Sequence, residues 1–192
     1  MDFADRAAAG VRLAPEVLQV VKAALVEVGA EDLSEWSIMI VVIAPGGVSV
    51  AAPVIEALAE HGVRVSQAQV RFVHDEVVGA TSGDPVVGAR LDLSQALPMP
   101  KQGASGQVAP ESAASTLSPP VQVAIVVADG VETGRAAAAV ASTLAQAGWH
   151  RRWLAVPVCP RQSRPALEQR YEKIIALVTP LARRSLRWHY GG

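Results

Sequence analysis

Val121-Gln-Val-Ala-Ile-Val-Val127 is an apolar, mostly β-branched run that stops at Ala128-Asp129. It passes through Gly130-Val-Glu-Thr-Gly134 into Arg135-Ala-Ala-Ala-Ala-Val-Ala-Ser-Thr-Leu-Ala-Gln-Ala147. The first piece predicts a buried strand and the last a strong helix. A strand, a short glycine loop and a helix together make a phosphate holder in α/β proteins. Backbone N–H groups at the helix start aim at the anion, and the helix dipole favours it. Asp129 falls at the strand's C-terminal end, where open parallel sheets bind ligands.

The rest of the chain repeats the strand–helix alternation. Residues from Phe3 to about Gly29 read as two helices, with Pro15 in the first turn of the second and Leu18, Val21, Leu25 and Val28 at helical spacing. Ser37 to Ala44 is a continuous apolar run, hence a buried parallel strand. Pro45-Gly46-Gly47 reads as a loop, and Val50 to His61 as a helix stopped by Gly62. Val63 to Val73 holds one or two strands. Gly79 to Gly88 is rich in turn residues and gives no clear element. Strands follow at Arg152 to Val158, ended by Pro157 and Pro160, and at Ile174 to Val178. Ser163 is placed to cap a short helix reaching Tyr171, and the aromatic tail Ser185 to Tyr190 is expected at the sheet edge. Such alternation predicts an α/β fold: a mostly parallel central sheet with helices on both faces. The 192 residues suit one domain, and 98–120, built of Pro, Gly, Ser, Ala and Gln, reads as a mobile low-complexity loop within it.

Composition removes several function classes. The formal net charge is -1, and two Tyr, two Phe and four Trp are too few for a base-stacking platform, so nucleic acid and anionic membranes are not expected partners. The apolar run from Ile38 to Ala44 is too short to span a bilayer. The opening Met-Asp-Phe-Ala-Asp has neither the basic nor the apolar region of a signal peptide. A lone Cys159 excludes an internal disulfide and fits a reducing, cytoplasmic location. The four His are dispersed without metal-ligand spacing, and His74-Asp75-Glu76 reads as a solvated loop. Arg151, Arg152, Arg183, Arg184 and Arg187 make the C-terminal third basic, which reads first as a solvated face.

The Val121–Gly134 segment resembles the donor-binding motif of type I phosphoribosyltransferases: an apolar run, two acids, then a loop ending Thr-Gly. The resemblance extends along the chain. Phe3-Ala-Asp-Arg-Ala-Ala-Ala-Gly-Val-Arg-Leu-Ala14 looks like the N-terminus of an uncharacterised bacterial branch of that family. Ile43-Ala-Pro-Gly-Gly-Val-Ser-Val50 is similar to its pyrophosphate loop, Leu154-Ala-Val-Pro-Val-Cys-Pro160 to the strand after the phosphate helix, and Trp188-His-Tyr190 to its aromatic tail.

The resemblance implies a type I phosphoribosyltransferase-like fold and a small phosphorylated ribose ligand, namely phosphoribosyl pyrophosphate with Mg²⁺. It implies Asp129 on the ribose hydroxyls, and Gly130, Thr133, Gly134 and Arg135 on the 5-phosphate. Gly46 and Gly47 would lie by the pyrophosphate, and Glu132 would be the acid or base toward the acceptor. A homodimer is the assembly to test for, and acceptor choice would lie in a hood built here from the chain ends. The residues themselves also allow Asp129 as a turn former, Thr133 as an N-cap, and Glu132 as a complement to the helix dipole.

Three departures bear on the chemistry. Ala128 replaces the first acid, Pro45 replaces an Arg before the two glycines, and 98–120 offers only Lys101 as a cation. The losses weaken the expected grip on ribose and pyrophosphate. The reading is therefore a phosphoribosyltransferase-like protein that binds such a ligand and transfers phosphoribosyl to an unnamed acceptor. The alternative is a non-catalytic homologue, a ligand sensor or interaction scaffold.

Overall fold

A computed structural model of the chain describes residues 2–29, 32–33, 36–73, 76–80, 121–182 and 185–191. The expectations for His74, Asp75, 81–88, the 98–120 loop, Arg183 and Arg184 lie outside the described residues.

Helix α1, Arg6–Glu27, starts behind Asp5, whose carboxylate accepts the Ala8 N–H at 2.7 Å. It is a single 22-residue helix, not the two expected. Pro15 sits inside it on the exposed side, where the helix carbonyl robbed of its N–H can turn to water. The buried stripe is Leu13, Val17, Val21 and Ala24. Leu18 and Leu25 flank it, while Val28 is solvent-facing.

Strand β1, Trp36–Ala44, leads through Pro45 into helix α2, Gly47–Glu60, which begins three residues earlier than expected. Strand β2, Arg64–Val73, follows as one element, and β3, Glu76–Ala80, returns antiparallel to it. The second half runs β4, Val121–Val127; α3, Arg135–Gln146; β5, Arg152–Val158; α4, Arg164–Glu168; and β6, Lys173–Val178. Strand β5 passes through Pro157 rather than ending there; β4 has already ended opposite Ala155, so that ladder asks no N–H of Pro157. Helix α4 stops at Glu168, three residues short of Tyr171, and Ser163 stands at its N-cap without a side-chain cap bond.

Among the described residues the sheet has six strands in the order β3-β2-β1-β4-β5-β6, parallel except for β3. The two-residue period of the strands divides the core. Ile38, Ile40 and Val42 of β1, with Val123, Ile125 and Val127 of β4, face α1 and α2. Met39, Val41, Ala124 and Val126 face α3 and Leu167 of α4 on the opposite side. Each fully buried Ile, Leu or Val contributes about 1.5–3 kcal/mol, so the two central strands anchor both layers. Gly10 lets α1 and α2 touch: a Cβ there would lie 2.6 Å from the Val50 carbonyl oxygen.

The chain order makes β1 and β4 special. From β1 the chain crosses through α2 to β2 on one side; from β4 it crosses through α3 to β5 on the other. These crossovers lie on opposite faces, so the chain leaves the paired strands β1 and β4 toward opposite sides and a crevice is left at their C-terminal ends.

Candidate functional site at the sheet switch point

Two loops border that crevice. From β1 comes Ala44-Pro45-Gly46, reached through a cis Ala44–Pro45 peptide. From β4 comes Ala128 to Gly134. They are in contact. A Cβ on Gly47 would lie 2.8 Å from the Val127 carbonyl oxygen, and one on Gly46 would press on every atom of the Asp129 carboxyl group, with Oδ1, the farthest, at 2.8 Å. Glycine at 46 therefore places the backbone of one loop directly against the acid of the other.

Asp129 is not bare. Arg6 Nε donates to its Oδ2 at 2.8 Å, with the Arg6 side chain 38% and the Asp129 side chain 19% exposed. The Arg6 guanidinium also lies 5.1 Å from the centre of the Tyr190 ring. Tyr190 in turn donates its hydroxyl to the Asp129 backbone carbonyl. Burial, and then the Asp129 charge, push the Tyr190 hydroxyl up, so it stays a donor.

Both chain ends thus meet over the crevice. Phe3 and Tyr190 pair as a parallel bridge with rings 5.8 Å apart, and His189 Nδ1 lies 2.6 Å from Asp2 Oδ2. Leu186, in the short 3-10 turn Leu186–Trp188, donates its N–H to Glu132 Oε1 at 2.9 Å. A Cβ on Gly130 would run into the Leu186 side chain. The tail crosses the loop ends of β4 and β5 and also packs at the sheet edge, where Tyr190 and Leu186 share a cluster with Leu177 and Val178 of the edge strand β6.

The phosphate-loop candidates lie as a continuous arc. Gly134 is the N-cap of α3 and takes φ +81°, a conformation natural to glycine. Thr133 is one residue too early to be the N-cap, yet its Oγ1 accepts from the Arg135 N–H at 3.4 Å. Thr133 and Arg135 are exposed at the loop surface. Gly134 gives α3 no side-chain cap bond, so beyond the Arg135 N–H the first turn offers the N–H groups of Ala136 and Ala137 to an anion.

Two adjoining hollows share Ile43 and Asp129. One, of about 450 Å³, is lined by Arg6, Ile43, Ala44, Pro45, Gly46 and Asp129. The other, of about 220 Å³, runs along Gly130 to Gly134 under Leu186. The structure thus brings together Gly46, Gly47, Asp129, Gly130, Glu132, Thr133 and Gly134, with Arg135 opening α3. It adds Arg6, Leu186 and Tyr190, to which no sequence signal assigns a role. The advance trace of Arg6 and Tyr190 is membership in the two terminal segments that carry the family resemblance, and Leu186 lies just before the second.

Away from the crevice, two of the basic C-terminal residues, Arg151 and Arg152, are engaged. Arg151 pairs with Glu172 at 2.9 Å and lies over Trp36 and Trp153, and Arg152 donates to backbone carbonyls of Trp149, His150 and Arg170. Cys159 is fully buried with its thiol pushed up by burial, as a packed strand-end residue should be.

No protein-family model and no curated protein matches the chain. Solved structures do. The protein TT1426 of Thermus thermophilus superposes with a TM-score of 0.58 at 23% identity, over 100% of this chain and 91% of that one. Hypoxanthine phosphoribosyltransferase of Trypanosoma cruzi, complexed with its product IMP, gives 0.54 at 13% identity over 93% and 77% of the two chains. The hypoxanthine-guanine phosphoribosyl transferase of L. donovani gives 0.51 at 12% over 95% and 86%. At these identities the likeness is one of architecture, and the chain has a type I phosphoribosyltransferase-like fold.

Proposed function

We propose that the protein binds a 5-phosphorylated ribose, phosphoribosyl pyrophosphate above all, in the crevice between β1 and β4, and transfers the phosphoribosyl group to an acceptor. The observation that carries this reading is the placement of Asp129 between two glycine-bearing loops at the switch point of a sheet of this fold. Asp129 accepts the ribose hydroxyls. The Gly130–Gly134 loop and the uncapped start of α3 hold the 5-phosphate, and Gly46 and Gly47 face the diphosphate. In the transfer, the bond from C1 to the acceptor forms as the bond from C1 to the diphosphate oxygen breaks. Pyrophosphate leaves with the electron pair, and Glu132 takes the acceptor's proton.

Among the described residues no three His, Cys, Asp or Glu side chains converge. With Asp129 as the carboxylate at the larger hollow, the residues fit a hydrated Mg²⁺ carried in by the diphosphate rather than one caged by protein. Magnesium would supply neutralisation of the leaving group's charge.

The test is calorimetric titration with phosphoribosyl pyrophosphate, with and without Mg²⁺. Magnesium-dependent binding that Asp129→Ala abolishes supports the donor site. No heat at millimolar donor sinks it, and would leave the fold put to another use.

A further inference from the structure

Arg6 sits where no motif calls for a cation, and it holds the acid the ribose needs. Three observations converge on it. First, the Arg6–Asp129 hydrogen bond of 2.8 Å engages the carboxylate that has to accept the ribose hydroxyls. A neutral diol entering alone would have to give up a charge-assisted bond to gain ordinary ones. Second, only Nε of the guanidinium is used; its terminal nitrogens make no hydrogen bond among the described residues, and the group lines the 450 Å³ hollow beside Pro45 and Gly46. A planar fork with free donors suits a phosphate or diphosphate. Third, the Tyr190 ring at 5.1 Å, itself tied to Phe3 and to the Asp129 carbonyl, holds the guanidinium at the mouth when Asp129 lets go. Among the described residues lining either hollow, Arg6 is the one Lys or Arg.

We infer that Arg6 sets the specificity of the crevice by exchange: it releases Asp129 only to a ligand that brings its own anion to the Pro45–Gly46 side. Such a residue selects ribose diphosphorylated at C1 over ribose phosphates that are uncharged there. It also supplies, from α1, positive charge that Pro45 cannot. Selectivity then arises from a penalty on the wrong ligand as much as from attraction to the right one. The inference rests on the ligand class proposed above.

The experiment is titration of the full chain, wild type and Arg6→Ala, with two probes: inorganic pyrophosphate with Mg²⁺, and ribose 5-phosphate. In Arg6→Ala, pyrophosphate affinity is expected to fall by about tenfold or more, while ribose 5-phosphate binds several-fold tighter because Asp129 is freed. Arg6→Lys keeps the charge without the fork and should fall between, and it carries the test should the alanine variant fail to fold. Near-ultraviolet circular dichroism reads whether Tyr190 keeps its packing in either variant. A parallel loss for both probes, or unchanged pyrophosphate binding, overturns the exchange while leaving the donor-site reading intact. Wild-type protein that binds neither probe overturns both.

Discussion

Gly46→Ala puts the geometry of the crevice to its sharpest test. The added Cβ would lie within 3.0 Å of the whole Asp129 carboxyl group, so either the carboxylate or the Pro45–Gly46 backbone has to move. The side chain is the softer of the two. Its departure breaks the Arg6 ion pair, which at this exposure contributes no more than about 1 kcal/mol. Residual overpacking adds about 1–2 kcal/mol. A total of about 1–3 kcal/mol lowers the melting temperature of a chain this size by about 2–12 °C. The ligand suffers in proportion more: losing one hydrogen-bonded carboxylate anchor costs about 1–3 kcal/mol, or about 5–150-fold in affinity. Gly62→Ala is the control. It takes φ +80° in open space, so it should cost about 1 kcal/mol of strain and leave binding untouched. Thermal melts read the first quantity, and titration with Mg²⁺ and phosphoribosyl pyrophosphate the second. If Gly46→Ala melts and binds like wild type, the loops do not meet at Asp129 and the site as described is wrong.

Two further outcomes probe the scaffold. Tyr171 donates its hydroxyl to the Ala137 carbonyl at 2.6 Å from a buried position, tying α3 to the chain after α4. Tyr171→Phe removes that bond from a carbonyl that α3 also pairs with its own Ala141 N–H, and should destabilise by about 0.5–1.5 kcal/mol in denaturant melts, without changing ligand affinity. Glu172 is held below its ordinary pKa of 4.5, first by the Arg151 hydrogen bond and also by Trp153 Nε1, with desolvation opposing. A depressed carboxylate stabilises the fold above its unfolded pKa and loses that contribution as pH falls through its folded value. The stability gap between wild type and Glu172→Gln should therefore be full above pH 4.5 and close in more acid solution; a gap that widens with acid would refute the pairing.

Much of the fold is legible in the residues because its signals are local. The apolar runs at Ile38 to Ala44 and Val121 to Val127 are unbroken because both faces of the central strands are covered. Gly134 announces the α3 start because the backbone there needs φ +81°. The same local view misreads Pro15 as a helix boundary, since propensity cannot know that the orphaned carbonyl faces water. It likewise ends β5 at Pro157, since only the pairing shows which ladder has already stopped. Strand β3 escapes notice because its antiparallel partner, and not its own five residues, makes it a strand.

The candidate site divides in the same way. Asp129, the Gly130–Gly134 loop and Gly46–Gly47 follow from the sequence, because a strand end, a glycine and a helix start are written in adjacent residues. That Gly46 lies against Asp129, that Arg6 pairs with Asp129 across 123 positions, and that Tyr190 closes on both could be decided only by the tertiary structure. Charges and rings so distant in sequence carry no mutual signal. They meet because the order β2-β1-β4-β5 puts two strand ends side by side and the packing of α1 on that sheet delivers its first residue there.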